Sequence, residues 1–257
     1  MKKVIFSFDD ARWDTYDRAF PILKKYNFSF TVNVVTDFVL HQEKYKNFPS
    51  ANNKSMTVEQ IKDLQNQGVE IACHGHTHKN TKNDILDNIN FLKKMDIDVE
   101  NIGFASPNSE ITESNSEDVK SLINDGKLLY IRSGIQVCRE GVMYSFFTFL
   151  ERMFRSSFLF YKLNKKNIIC NLDDILMSVS ITKRTTVNQI IYLINMMDDD
   201  ETVILMFHSV LYKNDKGYGV DNWFYDGEKF EELCMKLSND KNICVCTTRE
   251  LIAAGEV

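Results

Sequence analysis

The chain has 257 residues, of which 44% are apolar and 26% charged, with only 3 Pro and 10 Gly. That composition excludes collagen-like and disordered classes, and the length suits one large α/β domain over residues 1–257, able to bury about three quarters of the surface its unfolded chain exposes. Thirty-one Lys and Arg against 36 Asp and Glu leave a net charge of −5, which argues against nucleic acid as a partner.

Short β-rich runs alternate with helical periodicity along the whole chain. Strands are expected at residues 4–8, 28–35, 69–73, 102–105, 128–133, 176–181, 203–207 and 243–247, and helices at 15–25, 58–67, 84–94, 117–124, 187–197 and 228–237. Seven or eight such units in one chain point to a parallel (β/α) barrel. Thr57 followed three residues later by Gln60 fits a capping box, and Gly68 stands where a helix end wants a left-handed residue.

The segment 141–165 breaks the alternation. Phe146, Phe147, Phe149, Leu150, Met153, Phe154, Phe158, Leu159 and Phe160 are interleaved there with Arg152, Arg155 and Lys162, which predicts an inserted amphipathic helix. Its stripe fits packing on its own domain, and peripheral membrane contact through 146–160 is the alternative reading. The N-terminal apolar run stops at Asp9-Asp10, too short for a signal peptide, and no apolar stretch reaches the ~18 residues of a membrane span. The six cysteines show no CxxC spacing. A cytoplasmic protein with reduced thiols is expected.

Four of the five histidines fall in two places, three in His74-Gly75-His76-Thr77-His78 and one at His208. Were the chain helical there, His74 and His78 would share a face and His76 would point away, and two imidazoles plus a carboxylate form an open site for a catalytic divalent metal. The first strand ends in two carboxylates, Asp9 and Asp10. Side chains alternate in a strand, so both enter one site only where the strand ends and the chain turns. Singly, each pattern has an ordinary explanation: a helix cap for Asp-Asp, chance for the histidine pair.

Four strand ends in order carry Ser7-Phe8-Asp9-Asp10, His74-Gly75-His76-Thr77-His78, Phe104-Ala105-Ser106-Pro107-Asn108 and Leu205-Met206-Phe207-His208. As a set these resemble the motifs of the polysaccharide deacetylases, the NodB-homology group also called carbohydrate esterase family four. The resemblance implies a distorted (β/α) barrel of about seven strands, with a helical insertion around 141–165. It further implies one divalent metal ion, Zn²⁺ with Co²⁺, Ni²⁺ or Fe²⁺ as alternatives, held by Asp10, His74 and His78. Asp9 would be the general base and His208 the general acid. Pro107, Asn108 and Met206 would meet the substrate, with the Asn108 N–H at the oxyanion and Met206 in the acetyl-methyl pocket. The implied reaction is removal of N-acetyl groups from an N-acetylated amino sugar or glycan of the N-acetylglucosamine type, releasing acetate; an O-acetyl carbohydrate esterase and a catalytically silent carbohydrate-binding relative are the alternatives.

The sequence departs from the family at two points. Ala105 stands where an Arg commonly orients the base, leaving Arg132 or Arg184 to supply that charge from another strand. No Asp-Trp pair that would tune the catalytic His is found, Asp173-Asp174 lying far upstream of His208 and Trp223 after it. Tyr212, Trp223, Phe224 and Tyr225 are expected on a cleft rim, where aromatic rings stack on sugar faces.

Overall fold

In a computed structural model, residues 1–134 and 141–255 are described. The strands are β1 (Lys2–Phe8), β2 (Phe30–Val34), β3 (Glu70–Cys73), β4 (Phe104–Ala105), β5 (Ile131–Gly134), β6 (Ile175–Ser180), β7 (Thr202–Phe207), β8 (Ser209–Leu211), β9 (Phe224–Asp226) and β10 (Ile243–Val245). The helices are α1 (Phe20–Lys25), α2 (Thr36–Leu40), α3 (Val58–Asn66), α4 (Lys82–Lys94), α5 (Glu117–Asn124), α6 (Gly141–Phe154), α7 (Ser157–Asn164), α8 (Val187–Asn195), α9 (Gly227–Ser238) and α10 (Thr248–Gly255).

Strands β1 to β7 pair in sequence order, all parallel, and β7 pairs with β1 along Lys3 to Phe8, which closes a seven-stranded barrel. Strand β10 adds to the lower part of β1, Lys2 to Val4, on the edge that β2 occupies higher up at Phe6 to Phe8. None of the described helices is long and apolar enough to cross a membrane.

The period-two pattern of the strands sorts the residues. Val4, Phe6 and Phe8 of β1, Phe30, Val32 and Val34 of β2, and Val203, Leu205 and Phe207 of β7 face the helices and join one large buried cluster. The intervening residues face the barrel interior. At its lower end Ile5, Leu176 and Ile204 pack against Tyr130 and, from α10, Leu251, around the buried polar pair Thr31 and Glu70. Higher up the same parity places Ser7, Asn33, Arg132 and Ser178, all buried and hydrogen-bonded. Continuing it past the strand ends brings Asp9, His74 and His208 to the upper mouth.

Local signals behave as expected. The Thr57 hydroxyl and the Gln60 side chain cap α3 reciprocally, and Gly68 sits at φ +85°. The expected helix 15–25 is a π-helical turn, Thr15–Ala19, running into α1. The insertion is two helices, α6 and α7, rather than one, because Arg155 takes a left-handed φ of +49° and Ser156 caps the second through the Leu159 N–H.

Candidate active site

Strand β1 ends at Phe8, and the Asp9 N–H still donates to the Phe207 carbonyl of β7 at 2.9 Å. The next two residues, Asp10 and Ala11, take positive φ of 71° and 49°. This left-handed turn is what lets neighbouring carboxylates enter one site, as the end of the strand suggests.

Asp9 is buried and fully engaged. Arg132 Nη2 donates to Oδ1 at 2.7 Å and to Oδ2 at 2.8 Å, and Asn33 Nδ2 donates to Oδ1 at 2.8 Å. Burial pushes its pKa up, but the Arg132 guanidinium and the imidazoles of His74 and His208 outweigh it and hold the carboxyl below its usual range. Of the two candidates for the missing Arg, Arg132 reaches Asp9, whereas Arg184 is an exposed residue of the cleft wall. The register explains the exchange: Arg132 on β5 pairs directly beside Ala105 on β4, so the guanidinium comes from the adjacent strand at the same height. Ser178 on β6 accepts from Arg132 Nη1 at 3.2 Å.

Asp10 divides its two oxygens. Oδ2 accepts from Arg12 Nη2 at 3.0 Å and Nε at 3.2 Å; Oδ1 is buried, has no hydrogen-bond donor among the described residues, and lies 3.6 Å from Nε2 of both His74 and His78. Burial raises the Asp10 pKa, and Arg12 with the three imidazoles drives it far lower. His74 Nδ1–H donates to the Ala105 carbonyl at 2.8 Å, which fixes the tautomer and leaves the Nε2 lone pair facing Asp10. Burial pushes its pKa down.

The segment from His74 to His78 is a loop rather than a helix, a correction to the helical spacing. Gly75 sits at φ +77°, and a Cβ there would lie 2.7 Å from Asp84 Oδ2 and from the Lys79 carbonyl. The loop wraps the Asp84 carboxylate, which accepts from the Thr77 and Lys79 N–H groups, while Asn88 holds the Gly75 carbonyl. His78, at φ +61°, thereby returns to His74 with ring centroids 4.9 Å apart. His76 points away, stacked on Phe91 at 4.4 Å and hydrogen-bonded to Thr36.

The ligand atoms of Asp10, His74 and His78 lie within 4.8 Å of one another. A donorless buried carboxylate oxygen, an imidazole lone pair turned toward it and a second imidazole beside them fit a divalent ion with open coordination positions. His208 enters the cleft from the end of β7, its ring 4.9 Å from Trp223 and its Nδ1 without a partner among the described residues. Burial pushes its pKa down to about 4. The cleft, of about 710 Å³, is lined by Asp9, Asp10, His78, Asn108, Met206 and His208 among others. Asn108, with φ +54°, stands exposed on the rim. Pro107 is buried behind it, its carbonyl accepting from Asn80.

Of the four aromatics expected on the rim, Trp223 alone lines the cleft; Phe224 and Tyr225 are buried, and Tyr212 packs over Gly227. Strands β8 and β9 cause this, since the Ser209 N–H donates to the Trp223 carbonyl and fixes the ring beside His208. The sequence reading missed Arg12, buried between Asp10 and Asp221, and Asn33. Asn33 had a visible signal, an amide in an otherwise apolar strand. Arg12 had none beyond following Asp10.

Residues 1–123 match the family model described as polysaccharide deacetylase. The Bacillus subtilis (strain 168) protein YxkH, named as a candidate polysaccharide deacetylase, is 30% identical over 77 residues, which are 30% of this chain and 24% of the relative. Among solved structures, a family 4 acetyl xylan esterase from Clostridium thermocellum with a cobalt ion superposes with a TM-score of 0.54, at 16% identity, covering 99% of this chain and 92% of the other. The peptidoglycan deacetylase PdaC from Bacillus subtilis, as its D285S mutant, does so at 0.51, with 13% identity and the same coverage. These likenesses show the barrel fold.

Proposed function

We propose, from the match of residues 1–123 to the polysaccharide deacetylase family model and the geometry of the site, that the protein is a metal-dependent hydrolase that removes the N-acetyl group from an N-acetylated amino sugar or glycan of the N-acetylglucosamine type, releasing acetate and a free amine. The observation that carries this reading is the Asp9 carboxylate, clamped by Arg132 and Asn33 beside the Asp10-His74-His78 cluster. A divalent ion held by that cluster, Zn²⁺ or one of Co²⁺, Ni²⁺ and Fe²⁺, supplies the positive charge that polarises the acetyl carbonyl and acidifies water at the site.

The side chains do the rest. Asp9 Oδ1 accepts from two donors and Oδ2 from Arg132 alone, so Oδ2, 3.8 Å from His74 Nε2, is the oxygen that takes the proton of the attacking water. Arg132 keeps Asp9 ionised and stops it turning toward the ligands. The Asn108 N–H stands at the rim for the carbonyl oxygen as it gains charge, a contact worth about 3 kcal/mol where measured in other hydrolases. Met206 receives the acetyl methyl, with Pro107 fixing the loop beneath Asn108. Burial leaves His208 neutral at rest, so it protonates the leaving nitrogen after taking up a proton, which the nearby negative charge of Asp10 and Asp9 favours.

The test is acetate release from N-acetylglucosamine oligomers in the presence of Zn²⁺ or Co²⁺, repeated with Asp9→Asn. Turnover that this change abolishes supports the reading; binding without turnover in either protein refutes it in favour of a silent carbohydrate-binding relative. An O-acetyl esterase is the second reading, favoured by the likeness to a protein named an acetyl xylan esterase, and acetylated xylan in the same assay separates the two.

A further inference from the structure

Helix α6 carries its amphipathicity reversed. Phe146, Phe149, Met153 and Phe154 recur at the spacing of one helix flank and are 55%, 59%, 53% and 66% exposed. On the opposite side Thr148 is buried, and Thr148, Glu151 and Arg152 line the cleft, with Glu151 accepting from Gln189 of α8 at 2.6 Å. A surface helix ordinarily turns its apolar stripe to the core and its polar face to water. Helix α8 does so, burying Val187, Ile190, Leu193 and Ile194. Phe147, and Phe158 at the start of α7, add two more exposed rings, so that every phenylalanine among the exposed large apolar residues lies within residues 146–158.

The charge around this patch is also reversed. Residues 141–172 contain Arg152, Arg155, Lys162, Lys165 and Lys166 against the single carboxylate of Glu151, in a chain whose net charge is −5. None of these five cations forms an ion pair among the described residues. A Phe-rich face on a segment this rich in cations matches an anionic bilayer, whose headgroup–acyl boundary takes the rings while its phosphates take the cations. A second copy of the chain is a poorer occupant, because a twofold contact would set like charges against each other.

We infer that the outer face of α6 with Phe158 is a membrane-docking surface, and that the substrate is an acetylated amino sugar borne on a lipid and presented at that surface to the cleft on the helix's inner side. The docking stands on the exposed face alone, whereas the substrate class rests on the deacetylase reading above.

The full chain is sedimented with vesicles of phosphatidylcholine alone and of phosphatidylcholine with one quarter phosphatidylglycerol. At least tenfold stronger binding to the anionic vesicles is expected, together with at least a tenfold loss in Phe149→Ser/Phe154→Ser, a double variant whose circular dichroism and acetate release from soluble N-acetylglucosamine oligomers match the wild type. Wild-type protein that binds neither vesicle, or a double variant that binds as well as the wild type, overturns the docking. Self-association that the double variant abolishes, without vesicle binding, assigns the face to a second copy and overturns it too. For the substrate, acetate release from polyprenyl-diphosphate N-acetylglucosamine in the anionic vesicles is expected to fall at least tenfold in the double variant while soluble turnover holds; equal turnover overturns the lipid-borne substrate. Vesicle binding by a wild type that deacetylates nothing sinks the catalytic reading and leaves the docking standing.

Discussion

The barrel interior holds a buried carboxylate near each end, and the two are treated in opposite ways. At the upper mouth Asp9 meets a guanidinium and an amide, which hold it charged. At the lower end Glu70 accepts from the hydroxyls of Thr31 and Tyr130, each at 2.9 Å, and from the Arg249 N–H at 3.2 Å, and burial leaves its pKa raised. Both sit on inward-facing positions of parallel strands. The contrast teaches that only one of the two is hydrogen-bonded by a guanidinium, and that it is the one beside the metal-type cluster. Charge kept in the dark at the strands' C-terminal ends is what chemistry uses; a hydrogen-bonded acid at the other end serves packing.

The sharpest break of this comparison is substitution at both ends. Asp9→Asn is expected to lower kcat on N-acetylglucosamine oligomers by about 10² to 10⁴, the usual worth of a general base, without loss of metal, while Glu70→Gln leaves kcat within about twofold on the same scale. Comparable losses in both variants would erase the distinction. Next, His74→Ala and His78→Ala are expected to lower bound metal and activity together, with His76→Ala sparing the metal; elemental analysis of the purified proteins decides it. His208→Ala is expected to keep the metal and to slow amides far more than activated esters, which depart without a proton.

Arg132→Met sharpens the contrast from the other side. Left without its partner, Asp9 becomes an uncompensated buried charge, an expected loss of about 3–5 kcal/mol in urea unfolding. The acid limb of the activity profile should shift to higher pH as Asp9 becomes easier to protonate, and Arg132→Lys should restore part of both.

The smallest effect is in stability against pH for chelator-treated protein. Asp9 is more acidic folded than unfolded, so its contribution is complete above the ordinary value of 3.8 and fades as pH falls through the folded value. Glu70 is less acidic folded than unfolded, so its contribution is present below 4.5 and fades as pH rises through the folded value. Melting temperatures across that range should therefore lose opposite slopes in Asp9→Asn and Glu70→Gln.

Much of the fold was legible because strand parity and helix caps act locally: all eight expected strands form, and Thr57 caps its helix as its hydroxyl predicts. The expectation for Asp10, His74 and His78 came from four motifs read as a set, since each pattern alone has an ordinary explanation, and the three side chains do come together. What escaped depended on distance in sequence. That Arg132 rather than Arg184 meets Asp9 follows from the β4–β5 register. That His74 and His78 approach through a loop follows from Asp84, on the next helix, gathering the intervening N–H groups. The strands β8 and β9, three residues each, carry no pattern long enough to read.

Strand β1 touches three others, β2 along one stretch and β7 and β10 from the last quarter of the chain. During synthesis it therefore precedes its β7 partner by some two hundred residues, an apolar ribbon with one edge unsatisfied until they have followed. Closure must be a late, long-range event in folding, and a fragment ending before β7 would present that ribbon to aggregation or to chaperones.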